Sequence, residues 1–411
     1  MRPICCILVT VLVCASVAGC WNRREPELLA VVIGAAFDYD PESRVYRVIA
    51  QVANPVGSTD AGDQGGGQGF RLPFWVSSAE GQTPFEAMRN LAYRTSREMY
   101  WAHNRVVLVS ERLAVSGIGP VLDLFERERQ MRSVVVPVVV RGDIDMLMQA
   151  EFPFEEVGTR AISTAERNLL NQGAAFPVQS LTMVYRLLDR PGQEVLMGAV
   201  TVVLPDAEPR GDGQSPEAGP TPAGQMPVEF GGAACFDGDR LSGWLDALQV
   251  EGIMIVTNRL RRAIYTVNDP LDESKLLTVE LLNISSEICV ECAADDMCIS
   301  IRVRAVARLQ NMTNTTGLEI DPEYVDQMEQ LVAEKIKQRT EDAIRKAQEL
   351  GTDVLGLGHH LHTKRPRLWR DVEHNWKEIF ANMPVEVNAK VNVARPGLVV
   401  SPLTSGGGIS P

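Results

Sequence analysis

Thiols, imidazoles and paired carboxylates are the groups with chemistry to offer in this 411-residue chain, and one thiol has a telling position. Cys20 closes the run Val17-Ala18-Gly19-Cys20. Arg2 precedes fifteen uncharged, almost wholly apolar residues, Ile4 to Ala18. A charged start, a short apolar run and a small-residue boundary make a secretory leader. As a helix the run would reach only ~22 Å, short of a ~30 Å hydrocarbon core. Small residues at 18 and 19 fit a peptidase, and a thiol at 20 is the nucleophile a diacylglyceryl group alkylates. This lipobox pattern predicts a leader over 1–19 and lipidation at Cys20. An ordinary leader with an incidental cysteine is the alternative. Two acyl chains hold a protein stably, where one holds it marginally.

The remaining thiols are harder to assign. Of the eight cysteines, Cys5, Cys6 and Cys14 lie in the leader, so Cys235, Cys289, Cys292 and Cys298 stay with the body. Cys289-x-x-Cys292 has the spacing of half a tetrahedral zinc site, with Cys298 as a third ligand and no fourth nearby. Cys289 and Cys298 also flank a predicted hairpin turn, where a disulfide could close in an oxidising compartment. The state of the four thiols stays open, and no metal is predicted. His359 and His362 could share a helix face, but without an HExxH pattern they read as a polar surface segment. Trp369 and Trp376, seven apart, read as one helical face with Ile379 and Phe380, packed in a core rather than forming a docking stripe. The chain lacks the GxSxG, P-loop, GxGxxG and HExxH patterns. No catalytic residue and no cofactor is predicted.

Charge and length limit the partners. Net charge is −13 for the whole chain, and loss of Arg2 with the leader takes it to about −14. Such a body is repelled by nucleic acid and by anionic lipid. The composition, 45% hydrophobic and 23% charged, is that of a globular protein. About 390 residues after the leader exceed the ~250–300 that one core usually serves, so two or three domains are expected.

The elements follow from period and punctuation. Residues 205–228 carry six prolines within Pro205–Pro227 and almost no large apolar side chain, and read as a linker. Pro55 to Gly69 reads as a loop inside a domain, and 401–411 as a disordered tail. The linker separates an N-terminal region, 20–204, from a C-terminal domain, 229–400. In the first, strands are expected near 28–37, 45–52 (half-buried), 70–77, 105–109, 134–140 and 195–204. Pro137 places the fifth of these at an edge or bulge. Helices are expected over 83–98 and 118–129, with short ones from Asp143, Thr159 and Ser180. In the second, a hairpin turns at Asp237-Gly238, and strands follow at 252–256, 262–267, 276–291, 298–310 and 385–393. A long helix spans 322–350, with Val325, Met328, Leu331, Val332, Ile336, Ala343, Ile344 and Ala347 on one face. Glu341/Arg345 and Asp342/Lys346 would pair on its wet side. The fold class is α+β: two or three mixed α/β domains, each a largely antiparallel sheet packed with helices.

These segments also carry a family pattern. Gly19-Cys20-Trp21-Asn22-Arg23-Arg24-Glu25 opens it. His103-Asn104-Arg105-Val106-Val107-Leu108-Val109-Ser110-Glu111-Arg112-Leu113-Ala114 continues it, and Gly232 to Leu245 follows. Asp353-Val354-Leu355-Gly356-Leu357-Gly358, Pro366 to Arg370 and Asn375 to Phe380 complete it. Taken in order, these blocks resemble the Ger(x)C lipoproteins, the C subunits of spore germinant receptors, over nearly the whole chain after the leader. The resemblance implies a non-catalytic lipoprotein on the outer face of the spore inner membrane. Its implied partners are the integral-membrane A and B subunits, in a complex that triggers germination when nutrients arrive. The Gly-rich insertion, the Pro-rich linker and the Cys289 cluster depart from the family pattern. A lipid-anchored solute-binding protein, with a cleft between two lobes, is the alternative reading.

Overall fold

Leu29–Asp40 (β1) and Val45–Ala53 (β2) form the expected antiparallel hairpin, and Phe74–Gly81 (β3) adds to β2. The structure is a computed structural model that describes residues 26–54, 74–150, 158–171, 176–202, 228–293, 296–312 and 321–394. The predicted leader, Cys20, the Gly-rich loop and the tail lie outside those residues, as does the predicted linker up to 227. On the other side of β1 lie Glu98–Tyr100 (β4) and Val106–Ser110 (β5), both parallel to it. Val136–Arg141 (β6) and Leu196–Val202 (β7) extend the parallel centre. Val228–Asp237 (β8) and Arg240–Leu245 (β9) close the far flank with antiparallel pairs. The nine-stranded sheet runs β3-β2-β1-β5-β6-β7-β8-β9, with β4 beside β1.

Helices cover both faces of this sheet. Pro84–Asn90 (α1), Glu111–Ser116 (α2), Gly119–Arg127 (α3) and Leu181–Leu188 (α6) pack on one face with Phe37, Val109 and Phe236. Ile144–Gln149 (α4) and Gly158–Asn171 (α5) cover the other, over Ile49, Leu108 and Val140. β2 is therefore buried on both faces rather than half-buried. Gln51, fully buried, is accommodated because Thr159 donates to its Oε1 and its Nε2 donates to the Met148 carbonyl.

Beyond β9 a second sheet begins. Arg262–Asp269 (β10), Asp272–Ala293 (β11), Asp296–Met312 (β12) and Val385–Val393 (β13) lie in that order, the last pair parallel. β10 alternates exposed and buried residues along its length, so one face meets solvent. The covered face meets Ala247–Val256 (α7) and Pro322–Glu349 (α8). Leu357–Lys364 (α9), Pro366–Val372 (α10) and Trp376–Asn382 (α11) pack around the end of α8. Fold class and most elements match the sequence expectation. The two halves share a strand: Ala234 and Phe236 of β8 face the core of the larger sheet, and Ala233 and Cys235 face the core of the smaller.

Several expectations are corrected. Residues 252–256 are the end of α7, not a strand. That helix is buried on every side from Val250 to Val256, so no period shows, but Asp246 and Gln249 form a capping box at its start. Helix α1 stops at Asn90, and its predicted continuation is a 3-10 turn followed by β4. Pro137 sits in a central strand. Val136 donates toward β5, so the nitrogen of Pro137 faces the β7 side, where pairing starts only at Val139. No ladder bond is lost. On α8 the buried stripe runs Tyr324, Met328, Val332, Ile336 and Thr340, while Leu331 is exposed. Its surface pairs are Asp342–Arg345 and Lys346–Glu349, at i,i+3 instead of i,i+4.

A buried ion pair locks α7 to α8. Arg339 Nη1 donates to Glu251 Oε1 at 2.8 Å, and its guanidinium lies 4.3 Å over the Tyr265 ring. Truncating one partner strands the other charge. Glu251→Ala is expected to cost about 3–5 kcal/mol in urea unfolding, and the double variant Glu251→Met/Arg339→Met much less. An equal loss in both would show that packing, not charge, carries the contact. A second expectation follows from β8. Cutting at a protease site engineered between Pro205 and Pro227 should leave two fragments that co-elute on size exclusion. Separation under native conditions would disprove the shared strand.

Candidate functional site

The motif Asp353 to Gly358 builds the joint between the two halves. Helix α8 ends at Glu349, Gly351 turns the chain with φ 64°, and Asp353 follows, 3% exposed. Its Oδ1 accepts from the N–H groups of Gly356 (2.8 Å) and Leu357 (3.0 Å). Its Oδ2 accepts from Gly358 N–H (2.7 Å) and from Trp376 Nε1 (3.1 Å). One carboxylate thus fixes the start of α9 and the start of α11. Its backbone carbonyl accepts from Glu194 N–H at 2.9 Å, reaching the turn before β7. His359 N–H donates to Gly192 O at 3.0 Å beside it.

Gly192 is fitted to this contact. Its φ is +65°, and a Cβ there would lie 2.5 Å from Trp369 and 2.7 Å from the Gly358 backbone. Only glycine satisfies both demands. Trp369 and Trp376 stand on separate helices, α10 and α11, not on one helical face as expected. Their rings still meet at 5.5 Å, and both are buried. His362 and His359 extend the row, the imidazoles stacked at 6.2 Å and His362 edge-on to Trp369 at 6.0 Å. His362 is exposed, as expected of a polar surface segment, while His359 is half-buried at the edge of the joint. Burial, with Arg190 nearby, lowers the pKa of His359. Lys377 to Asp237 (2.5 Å), Ser242 to Leu350 O (3.0 Å) and Gln348 to Phe380 O (2.9 Å) complete the joint.

A crevice of about 620 Å³ lies at the carboxyl ends of β1, β5 and β6. β1 and β5 diverge here into connections running opposite ways across the sheet, the place where open parallel sheets usually hold ligands. Asp38, 2% exposed, accepts from Ser110 Oγ at 2.5 Å and from Arg112. Arg47 pairs with Asp145 on the opposite wall. Ser110 Oγ also accepts from Leu113 N–H, capping α2. The two arginines neutralise Asp38 and Asp145, Glu111 accepts from Trp244 Nε1, Asp143 caps α4, and the serine is tied as donor and acceptor with no imidazole among the lining residues. The arrangement braces β1 against α2.

The sequence-predicted chemistry is placed as follows. Cys20 lies outside the described residues. Cys235, Cys289 and Cys298 are free thiols. Cys298 faces Glu291 across the hairpin and Cys289 faces Ser300, so the two are not opposite one another. Arg302 Nη2 donates to Cys289 Sγ at 3.3 Å. Burial pushes the Cys235 thiol up to about 12, which leaves it unreactive in the core. Among the described residues no three His, Cys, Asp or Glu side chains converge as metal ligands, and no helix is long and apolar enough to cross a membrane. Gly192 and the Asp38–Arg112 pair were not predicted. Pro191-Gly192 signalled a turn, but nothing local told what the turn would touch.

Comparison with known proteins follows the same division. Residues 22–202 match the family described as spore germination protein N-terminal domain. Residues 231–397 match the one described as spore germination B3/GerAC like, C-terminal. Spore germination protein KC of Bacillus subtilis (strain 168) is 23% identical over 409 residues, covering 97% of each chain. The putative spore germination protein YfkR of the same organism is 24% identical over 402 residues, covering 96% of this chain and 97% of its own. The solved structure described as the crystal structure of the GerBC protein aligns with a TM-score of 0.52 at 17% identity, over 88% of this chain and 96% of that one. At that identity the likeness speaks for the fold.

The joint gives a pH dependence with a definite sign. Burial pushes the Asp353 carboxyl from 3.8 up to about 6, against the pull of its four donors. The folded state then holds a proton between pH 4 and 6 that the unfolded chain has released. The contribution of this group is present below about pH 4 and lost as pH rises through about 6, by ~3 kcal/mol for a shift of roughly two units. Urea unfolding of the wild type and Asp353→Asn at pH 4.5 and 7 should show that part of the slope vanish in the variant. A wild-type stability that instead gains from Asp353 as pH rises would mean that the donors outweigh burial.

Proposed function

Because the chain belongs to the Ger(x)C family of spore germination proteins, we propose that it is the lipid-anchored, non-catalytic subunit of a spore germinant receptor. The observation that carries this reading is collinearity. Both family segments occur in order, and the two relatives align over 96–97% of each chain. The lipobox pattern at Cys20 supplies an attachment on the outer face of the spore inner membrane, and two acyl chains suffice for it. Its partners are the integral-membrane A and B subunits of the receptor, and the complex triggers germination when nutrients arrive. This subunit contributes binding surface, with no catalytic residue, metal or cofactor.

The geometry supports an interaction role over capture of a solute between lobes. A binding protein of that kind closes two lobes about a hinge. Here the halves share β8 and are fixed by the Asp353 joint, so no free hinge connects them. The crevice at Asp38 has its charges already satisfied internally.

Cys20→Ala tests the anchor. The variant should move from the membrane pellet to the soluble fraction when the A and B subunits are absent, because the net charge of −13 opposes any other attachment to anionic lipid. Quantitative pelleting of the variant would sink the single-anchor reading. Affinity purification of the wild-type chain from detergent-solubilised spore membranes should recover the A and B subunits. Recovery of the chain alone would count against receptor assembly.

A further inference from the structure

At the end of the larger sheet opposite the crevice lies a pocket of about 280 Å³. Two segments form it, with Ser163 of α5, whose hydroxyl donates to the Arg160 carbonyl, as a further lining residue. Ala102–Arg105 leads from β4 into β5, and Arg132–Val135 leads into β6. They are pinned to one another and to α6. Val136 N–H donates to Arg105 O at 2.9 Å, and Leu181 N–H donates to Val135 O at 2.9 Å.

Asn104 lines this pocket and is 4% exposed, yet neither its Oδ1 nor its Nδ2 has a hydrogen-bond partner among the described residues. Buried side-chain amides are almost always paired, so an orphan of both kinds marks a place where a partner from outside fits. Arg105 and Arg132 are exposed at the same pocket. Neither is in an ion pair among the described residues, although the chain carries a net −13 and Arg47, Arg112, Arg308 and Arg339 are all paired. His103 stands beside them, and apolar Val134 and Val136 line the wall.

The ligand follows from these groups. Two free guanidiniums suit an oxyanion with more than two accepting oxygens, which favours a phosphate over a carboxylate. Nδ2 of Asn104 donates to such an oxygen. Oδ1 needs a donor, which a phosphate ester lacks on its phosphorus and a neighbouring hydroxyl supplies. We propose that the Asn104–Arg105–Arg132 pocket binds the phosphate ester of a small polyol free in solution.

Calorimetry on the purified full chain at pH 8, where both esters are dianions, tests this with two probes, sn-glycerol 3-phosphate and methyl phosphate. The glycerol ester should bind saturably at one site, and methyl phosphate, which has no hydroxyl to donate, about tenfold more weakly, the equivalent of one hydrogen bond. Arg105→Ala and Arg132→Ala, both at the surface, should weaken both probes by about tenfold or more while leaving the melting point unchanged. Asn104→Leu should weaken both probes and abolish the preference for the glycerol ester. No saturable binding of either probe, equal binding of the two, or indifference to both arginine substitutions would overturn the proposal. Flotation of the Cys20→Ala chain checks the source. The chain should stay off phosphatidylglycerol vesicles, as its net charge of −13 requires. Flotation competed by the soluble ester and lost in Arg132→Ala would overturn the assignment to a free solute.

Discussion

A single buried carboxylate organises the way this molecule holds together. Asp353 is 3% exposed, and it is accommodated because four N–H donors converge on its two oxygens. Three come from the first turn of α9 and the fourth from the indole of Trp376. That arrangement needs Gly358 against both Trp376 and the turn at Gly192, where Trp369 also packs, and the turn needs a glycine in a left-handed conformation. The start of α9, the start of α11 and the turn before β7 are therefore placed by one group. A charge this deeply buried contributes little net stability, and its effect is on which arrangement is adopted.

The joint also explains what was legible in the sequence and what was not. The Asp353-to-Gly358 motif and both tryptophans stood out as a family pattern, and burial of the tryptophans was expected from their aromatic bulk. Their common helix was not found, because the spacing of seven is shared by a straight helix and by two short helices folded back on one another. The carboxylate's role was invisible, since its carbonyl partner, Glu194, lies 159 positions earlier. Strands of the smaller sheet were legible for a simple reason: one face meets solvent, so polar and apolar residues alternate as in β10. Helix α7 was misread because it is enclosed on every side, which erases the period that distinguishes helix from strand. Its capping box, Asp246 with Gln249, was the available signal. Pro137 misled through a rule that is correct for most positions. A central strand tolerates proline where the missing donor faces a neighbour that has not yet begun to pair.

The same logic separates the two ends of the larger sheet. At the carboxyl end, Asp38, Arg112, Ser110, Arg47 and Asp145 are matched by one another. A ligand entering there must first displace contacts worth as much as those it makes. At the amino end, Asn104, Arg105 and Arg132 have no such competition. The general preference of parallel sheets for ligands at their carboxyl ends is a statement about free helix termini and loops. Here that advantage has been consumed by the brace between β1 and α2. Both ends carry residues of the same sequence block, His103 to Ala114, so a shared motif serves two unlike purposes at the opposite ends of β5.

Helix α7 sets how the whole body can move. It packs against α8, against β8 and β9 of the larger sheet, and against β11 and β12 of the smaller. Seven consecutive residues, Val250 to Val256, are buried, including Gly252, where a Cβ would come within 2.8 Å of the Arg339 carbonyl. Opening the two halves about the segment before β8 would expose that apolar cylinder and also the Glu251–Arg339 pair. Fully exposing even four of its large apolar side chains would cost on the order of 6–12 kcal/mol, comparable to the stability of an entire domain. A ligand would have to discriminate between open and closed forms by that amount to drive the motion, far more than the 1–3 kcal/mol typical of allosteric coupling. The two sheets therefore move as one body. A binding event at either end can act on a neighbour only by shifting that body as a unit or by changing the surface it presents.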